Sequence, residues 1–127
     1  MSDSELIPKF EKHFTKKRVA PGHVIFHEGE PVDAAYIVQR GDVQICTMNE
    51  KEEMVHLTTM RMGQVFGDLA LINDGKRTAT ALTEKGCELL VVRREQLASL
   101  LQKADPFLRF WIEYLGERVI ELSKRVT

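Results

Sequence analysis

Cysteine is scarce in this chain, and so is most of what would make it an enzyme. There are two cysteines in 127 residues, Cys46 and Cys87, far apart and outside CxxC spacing. Free thiols in a reducing compartment are the expectation, since iron–sulfur and zinc sites need more ligands. No apolar run approaches the ~20 residues that span a bilayer, and the start, MSDSELIPKF, lacks the basic and apolar regions of a signal peptide. The expected location is cytoplasmic, with no membrane partner. Net charge is −1 with both signs mixed, so no overall charge excess points to DNA or RNA. A GxxxxGK[ST] loop, an acid cluster for Mg²⁺, an HxH pair with a following Glu, and a Ser–His–acid or Cys–His set are all missing. A binding module is expected, not an enzyme.

What is present is enough apolar material, 43% of residues, for one folded unit over 1–127 without a metal or disulfide. Leu6, Ile7, Phe10 and Phe14 predict a short amphipathic N-terminal helix within 1–15, starting near Pro8 because proline suits a first turn. From 16 to 93 the pattern changes to short β-rich runs: HVIFH, AAYIVQ, DVQICTM, MVHLTTM, QVF, TATAL and ELLVV. Turn residues such as Pro21-Gly22, Gly29, Gly41 and Gly63 separate them. Val43, Ile45 and Thr47 alternate with Gln44 and Cys46, as on a half-buried strand. Many short strands without a crossover helix predict an antiparallel sandwich, jelly roll or barrel.

Helices are predicted over 94–127. Arg94–Lys103 is one, Ala104-Asp105-Pro106 breaks it, and a last helix runs from Pro106 to about Lys124. Leu108, Ile112, Leu115, Val119, Leu122 and Val126 repeat at spacings of 4, 3, 4, 3 and 4. Leucines at d with β-branched residues at a favour a parallel two-stranded coiled coil, hence a homodimer through this helix. Phe107, Phe110, Trp111 and Tyr114 occupy a neighbouring face that would pack on the chain's own β domain.

The chemistry lies in FGDLALINDGKRTATA, residues 66–81. It holds one acid, Asp68, near one end and one arginine, Arg77, near the other. Buried charges require partners. The two could pair with each other, or a ligand could bridge them. Arg77 offers a planar fork suited to a phosphate. Ionised Asp68 can only accept, so it suits a sugar hydroxyl. Gly67 allows close backbone approach, and a helical turn over Asp68–Ile72 would present N–H groups to an anion. One arginine and one acid fit a singly charged phosphodiester better than ATP.

On these residues the chain resembles the cyclic nucleotide-binding domain of the catabolite activator and cyclic-nucleotide-dependent kinase superfamily. APGHVIFHEGEPVDAAYIVQRGDVQI is similar to the family's first half, and GQVFGDLALINDGKRTATA to its phosphate-binding cassette. Two positions depart from the family pattern: Asp68 stands where a glutamate is usual, and Gly75-Lys76 where a proline is common. The resemblance implies a mainly β fold with flanking helices: an antiparallel, jelly-roll-like β-roll with a short N-terminal helix and two C-terminal helices, hinge and lid. It implies that Arg77 binds the cyclic phosphate and Asp68 the ribose 2′-OH. Gly67, Leu69, Ala70, Thr78 and Ala79 would line the phosphate. The expected ligand is cAMP in preference to cGMP, with no other cofactor, although the Thr78 hydroxyl could assist a guanine. The implied role is a regulatory sensor that moves its C-terminal helices to signal to an effector protein in trans, without direct contact with nucleic acid. The alternative is a degenerate member that has lost its ligand and serves as a structural dimerisation module.

Overall fold

Runs of β-branched and aromatic residues, too short for helices and punctuated by glycine turns, settle into two facing sheets. The computed structural model describes residues 3–68, 71 and 75–126. Helix α1 spans Asp3–Phe10, and a 3-10 turn follows at Glu11–His13. The strands are β1 (Thr15–Val19), β2 (Val24–Phe26), β3 (Ala34–Gly41), β4 (Val43–Met48), β5 (Met54–Met60), β6 (Val65–Phe66), β7 (Thr80–Leu82) and β8 (Cys87–Arg93). Helices α2 (Arg94–Lys103) and α3 (Pro106–Val126) follow. One sheet has the order β1-β8-β3-β6 and the other β2-β7-β4-β5, and every pairing is antiparallel. The fold is thus the antiparallel β-roll with a short helix before it and two after it.

Side chains from both sheets meet in one core: Val19, Phe26, Tyr36, Val38, Val43, Phe66, Ala81, Leu89 and Val91 among others. A smaller cluster of Val32, Ala35 and Leu71 packs with Val92 and Leu97, tying β3, β8 and the cassette to α2. The turn between β3 and β4 needs its glycine. Gly41 has φ +82°, and a Cβ there would overlap the Gly86 carbonyl oxygen.

Three expectations are corrected. Helix α1 starts at Asp3 and carries Pro8 inside it. The proline removes one amide late in a short helix, which ends two residues on, so the loss is confined to the frayed end. On β4 the expectation of one polar face fails, because Cys46 is buried. Pairing with β7 stays regular through Ile45 and Cys46, so Cys46 points away from the face on which Ile45 meets the core and is covered there. The register shift against β5 leaves the extra residue, Leu57, on β5. Finally, Phe107, Phe110, Trp111 and Tyr114 do not pack on the β domain: all four are 45–63% exposed. Helix α3 starts as the sequence requires, since Asp105 Oδ1 accepts the Phe107 N–H at 2.9 Å with Pro106 in the first turn. Its apolar faces are left uncovered among the described residues.

Candidate functional site

The strands deliver the ends of segment 66–81 to one place. β6 ends at Phe66, and β7 resumes at Thr80 in the other sheet. Gly67, Asp68, Arg77, Thr78 and Ala79 line one cleft of about 150 Å³, together with Phe26, Ile45, Met60, Val65 and Phe66. Asp68 and Leu71 are helical. Leu69 and Ala70, also expected to line a phosphate, lie outside the described residues, as does the rest of that expected turn.

Arg77 is 4% exposed and turned inward. Its Nη1 donates to the Gly67 carbonyl at 3.0 Å, and its Nη2 to the Ala34 carbonyl at 2.6 Å. The guanidinium carbon lies 4.0 Å from the centre of the Phe26 ring, a cation–π geometry worth about 2 kcal/mol or more when desolvated. Phe26, Tyr36 and Phe66 form the aromatic wall behind it, with centroids 5.3–6.1 Å apart. The backbone is held too: Arg77 N–H donates to Glu30 O and Gly29 N–H to Arg77 O, both at 2.8 Å. Among the described residues, Arg77 Nε is buried and has no hydrogen-bond partner.

Asp68 and Arg77 do not form an ion pair. Among the described residues, the carboxylate in ion-pair range of Arg77 is Asp33, with Oδ1 3.9 Å from Nη2. Asp68 is exposed at the cleft's edge. Burial lowers the pKa of the Arg77 guanidinium, while Tyr36, Asp33 and Glu30 act in the opposite sense. Burial raises the Tyr36 phenol, and Arg77 partly offsets that.

Sequence reasoning missed the arginine's seat. Phe26 falls in the predicted strand run HVIFH, but nothing in that run marks its ring as the arginine's neighbour. The Ala34 and Gly67 carbonyls carry no sequence signal, because every residue has one.

The cassette segment is joined to helix α2. Arg94, the first residue of α2, donates from Nη1 to Leu71 O at 3.0 Å and from Nη2 to Val32 O at 2.9 Å. Gln96 Oε1 accepts the Arg93 N–H at 3.0 Å and caps the same helix. Leu71 is buried against Leu97.

A β-roll whose inter-sheet loop seats one buried arginine at a small cleft is suited to hold a small anionic ligand. The family model for the cyclic nucleotide-binding domain matches residues 16–104, and the chain belongs to that family. It is 28% identical over 91 residues to the cyclic AMP receptor protein of Thermus thermophilus, covering 72% of this chain and 42% of that protein. It is 35% identical over 98 residues to the CRP-like cAMP-activated global transcriptional regulator of Mycobacterium tuberculosis, covering 77% and 44%. The chain therefore spans less than half of either curated relative. Among solved structures, it is similar to the EAL enzyme Bd1971 in its cAMP-bound form, with 26% identity and a TM-score of 0.69, covering 88% of this chain and 30% of that one. The cGMP-bound form of the same enzyme gives a TM-score of 0.70. No helix among the described residues is long and apolar enough to cross a membrane.

Proposed function

We propose that this chain is a cyclic-nucleotide sensor, preferring cAMP to cGMP, whose C-terminal helices move when ligand docks in the cassette and signal to a protein partner. The observation that carries this reading is the buried Arg77, whose Nε has no hydrogen-bond partner among the described residues. A buried charged donor without an acceptor costs free energy, and a phosphate oxygen would remove that cost. Asp68, exposed beside the cleft, is the acceptor for a ribose 2′-OH. Gly67, Thr78 and Ala79, with Leu69 and Ala70, would complete the phosphate's surroundings.

The Arg94 and Leu97 contacts to Leu71 give the cassette a route to α2. A ligand moves the helices only to the extent that it binds the closed arrangement better. On closing, an apolar residue between Phe107 and Leu115 would cover the base. The names of both relatives mention cyclic AMP, which favours cAMP, whereas the enzyme neighbour has been solved with either nucleotide. The role is sensing, not catalysis. The expected absence of nucleic acid is not carried forward, since the M. tuberculosis relative is a transcriptional regulator.

A second reading draws on the same arginine. Both Nη groups already have carbonyl partners, as a degenerate, ligand-free dimerisation module would need. Titration calorimetry with cAMP and cGMP separates the two. The sensor reading expects heat with both and tighter binding of cAMP. It expects Arg77→Ala to weaken binding by roughly 2–4 kcal/mol, the loss of a charge-assisted contact. Silence with both nucleotides at high micromolar concentration leaves the second reading standing.

A further inference from the structure

A second recognition surface lies away from the cassette, at the free edge of the first sheet. Strand β1 ends the order β1-β8-β3-β6 and pairs only with β8 among the described residues. Its outward main-chain donors and acceptors therefore have no strand beside them. Along it run Lys16, Lys17 and Arg18, all exposed. They line a groove of about 540 Å³ with Gln39, Arg40 and Glu88, and none of these residues lines the cassette cleft.

The charge there is one-sided. Glu88 is the single acid lining the groove, and it sits in register between Arg18 and Arg40 on the flanking strands. Its carboxylate is engaged by Arg18 at 3.2 Å. Gln39 is held by Glu11, its Nε2 2.9 Å from Oε2. The lysines and Arg40 are thus in excess over nearby acids, on a chain whose net charge is −1.

We propose that the β1 edge docks an acidic, extended segment of a partner protein by strand addition, with carboxylates set against Lys16 on one face and Lys17 on the other. Three arguments select this occupant. A row of lysines on an open edge repels the same edge of a second copy, because like charges directly opposite destabilise a pair. The open edge supplies main-chain hydrogen bonds that only another backbone can use in series. Duplex nucleic acid is disfavoured because its binders commonly neutralise about 6–10 phosphates, and this groove holds four cations, one already paired.

The test uses the intact chain and a fluorescent peptide of about ten residues with Glu-Glu pairs separated by Thr, so that carboxylates stand on both faces of the strand, close to a full strand length, read by anisotropy. The expected result is saturable binding, weakened about tenfold or more by Lys16→Glu with Lys17→Glu, since each tenfold is ~1.4 kcal/mol. Lys17→Gln should give a smaller loss in the same direction. Circular dichroism melts of these variants should match the parent, because the side chains are exposed. An N-methylated peptide of the same sequence should fail to bind, and β1 amides should gain protection from hydrogen exchange only with the unmethylated one. Binding should survive Arg77→Ala, so failure here is distinct from failure of the cyclic-nucleotide reading. The proposal is overturned by absence of saturable binding, by equal affinity in the lysine variants, by equal affinity of the methylated peptide, or by tighter binding of an oligo-dT strand.

Discussion

Arg77 depends on what stands next to it as much as on its own charge. Gly67 adopts φ +74°, and a Cβ there would lie 2.6 Å from Arg77 Nη1. Gly67→Ala must therefore strain the left-handed backbone, at about 1–2 kcal/mol, and push the guanidinium off its carbonyl. The expected outcome is a lower midpoint in urea and weaker cAMP binding together, checked by denaturation and calorimetry on one preparation. A stability loss with unchanged affinity would mean that the arginine's seat at Gly67 is irrelevant to the ligand. Glu30 supports the same residue from the other side. It receives the His27 ring at 2.7 Å and the His27 N–H at 3.0 Å, and these bonds lower its pKa. A depressed carboxyl stabilises the fold above the ordinary glutamate value of about 4.3 and loses that contribution as pH falls through its own lower value. The melting temperature of Glu30→Gln should therefore fall below the parent's at neutral pH, and the gap should close in acid below about pH 4. A gap independent of pH would assign the loss to the backbone instead. At this scale, Asp68 and Arg77 were legible as a pair with special chemistry. Their separation, with Arg77 engaged by carbonyls and Asp33 within 3.9 Å, was not legible, because main-chain acceptors are invisible to residue type.

Helix α3 poses the plainest question among the elements. Leu108, Ile112, Leu115, Val119 and Leu122 are 46–53% exposed, and the aromatic face beside them is no better covered. The side chain of Val126, the last member of the repeat, lies outside the described residues. A helix of this length gains little stability from propensity alone, and most helices are held by packing of an apolar face. The a/d seam fits a second copy, and Val119 is a central a position. Sedimentation velocity is expected to show a dimer for the parent and a monomer for Val119→Glu. A parent that sediments as a monomer, or a variant that remains a dimer, would reject the seam. The sequence set this helix's start well, because Asp105-Pro106 has one local meaning, cap and first turn. It could not say what covers the aromatic face, because periodicity identifies an apolar face and not its neighbour. The same limit explains Cys46. Period-2 alternation says which way a side chain points, not whether that face is covered, and Cys46 is buried.

For the whole molecule, the two thiols report on how the sandwich opens. Cys87 belongs to the core between the sheets, and Cys46 is buried on β4. Both are free, and burial raises both pKa values, although Thr83 partly offsets this for Cys87. A buried thiol held protonated is a poor nucleophile, so alkylation has to wait for an opening event. Cys87 lies between β1 and β3 in register, against Val19 and Gly41, and should react only when the sheet separates. A ligand that binds the native state alone stabilises it by mass action, about 2.7 kcal/mol at a concentration ~100 times its Kd. If Cys87 reacts through global unfolding, cAMP at that concentration should slow its labelling by iodoacetamide about 100-fold, read by mass spectrometry of the peptide. Cys46 sits beside the edge strand β5, which is exposed along most of its length. Its labelling should slow less, because edge strands open locally at lower cost. Equal slowing at both thiols would make the sandwich one cooperative unit from the cassette to the β5 edge. A Cys87 rate indifferent to cAMP, in a protein that binds it by calorimetry, would show that the core opens without releasing the ligand.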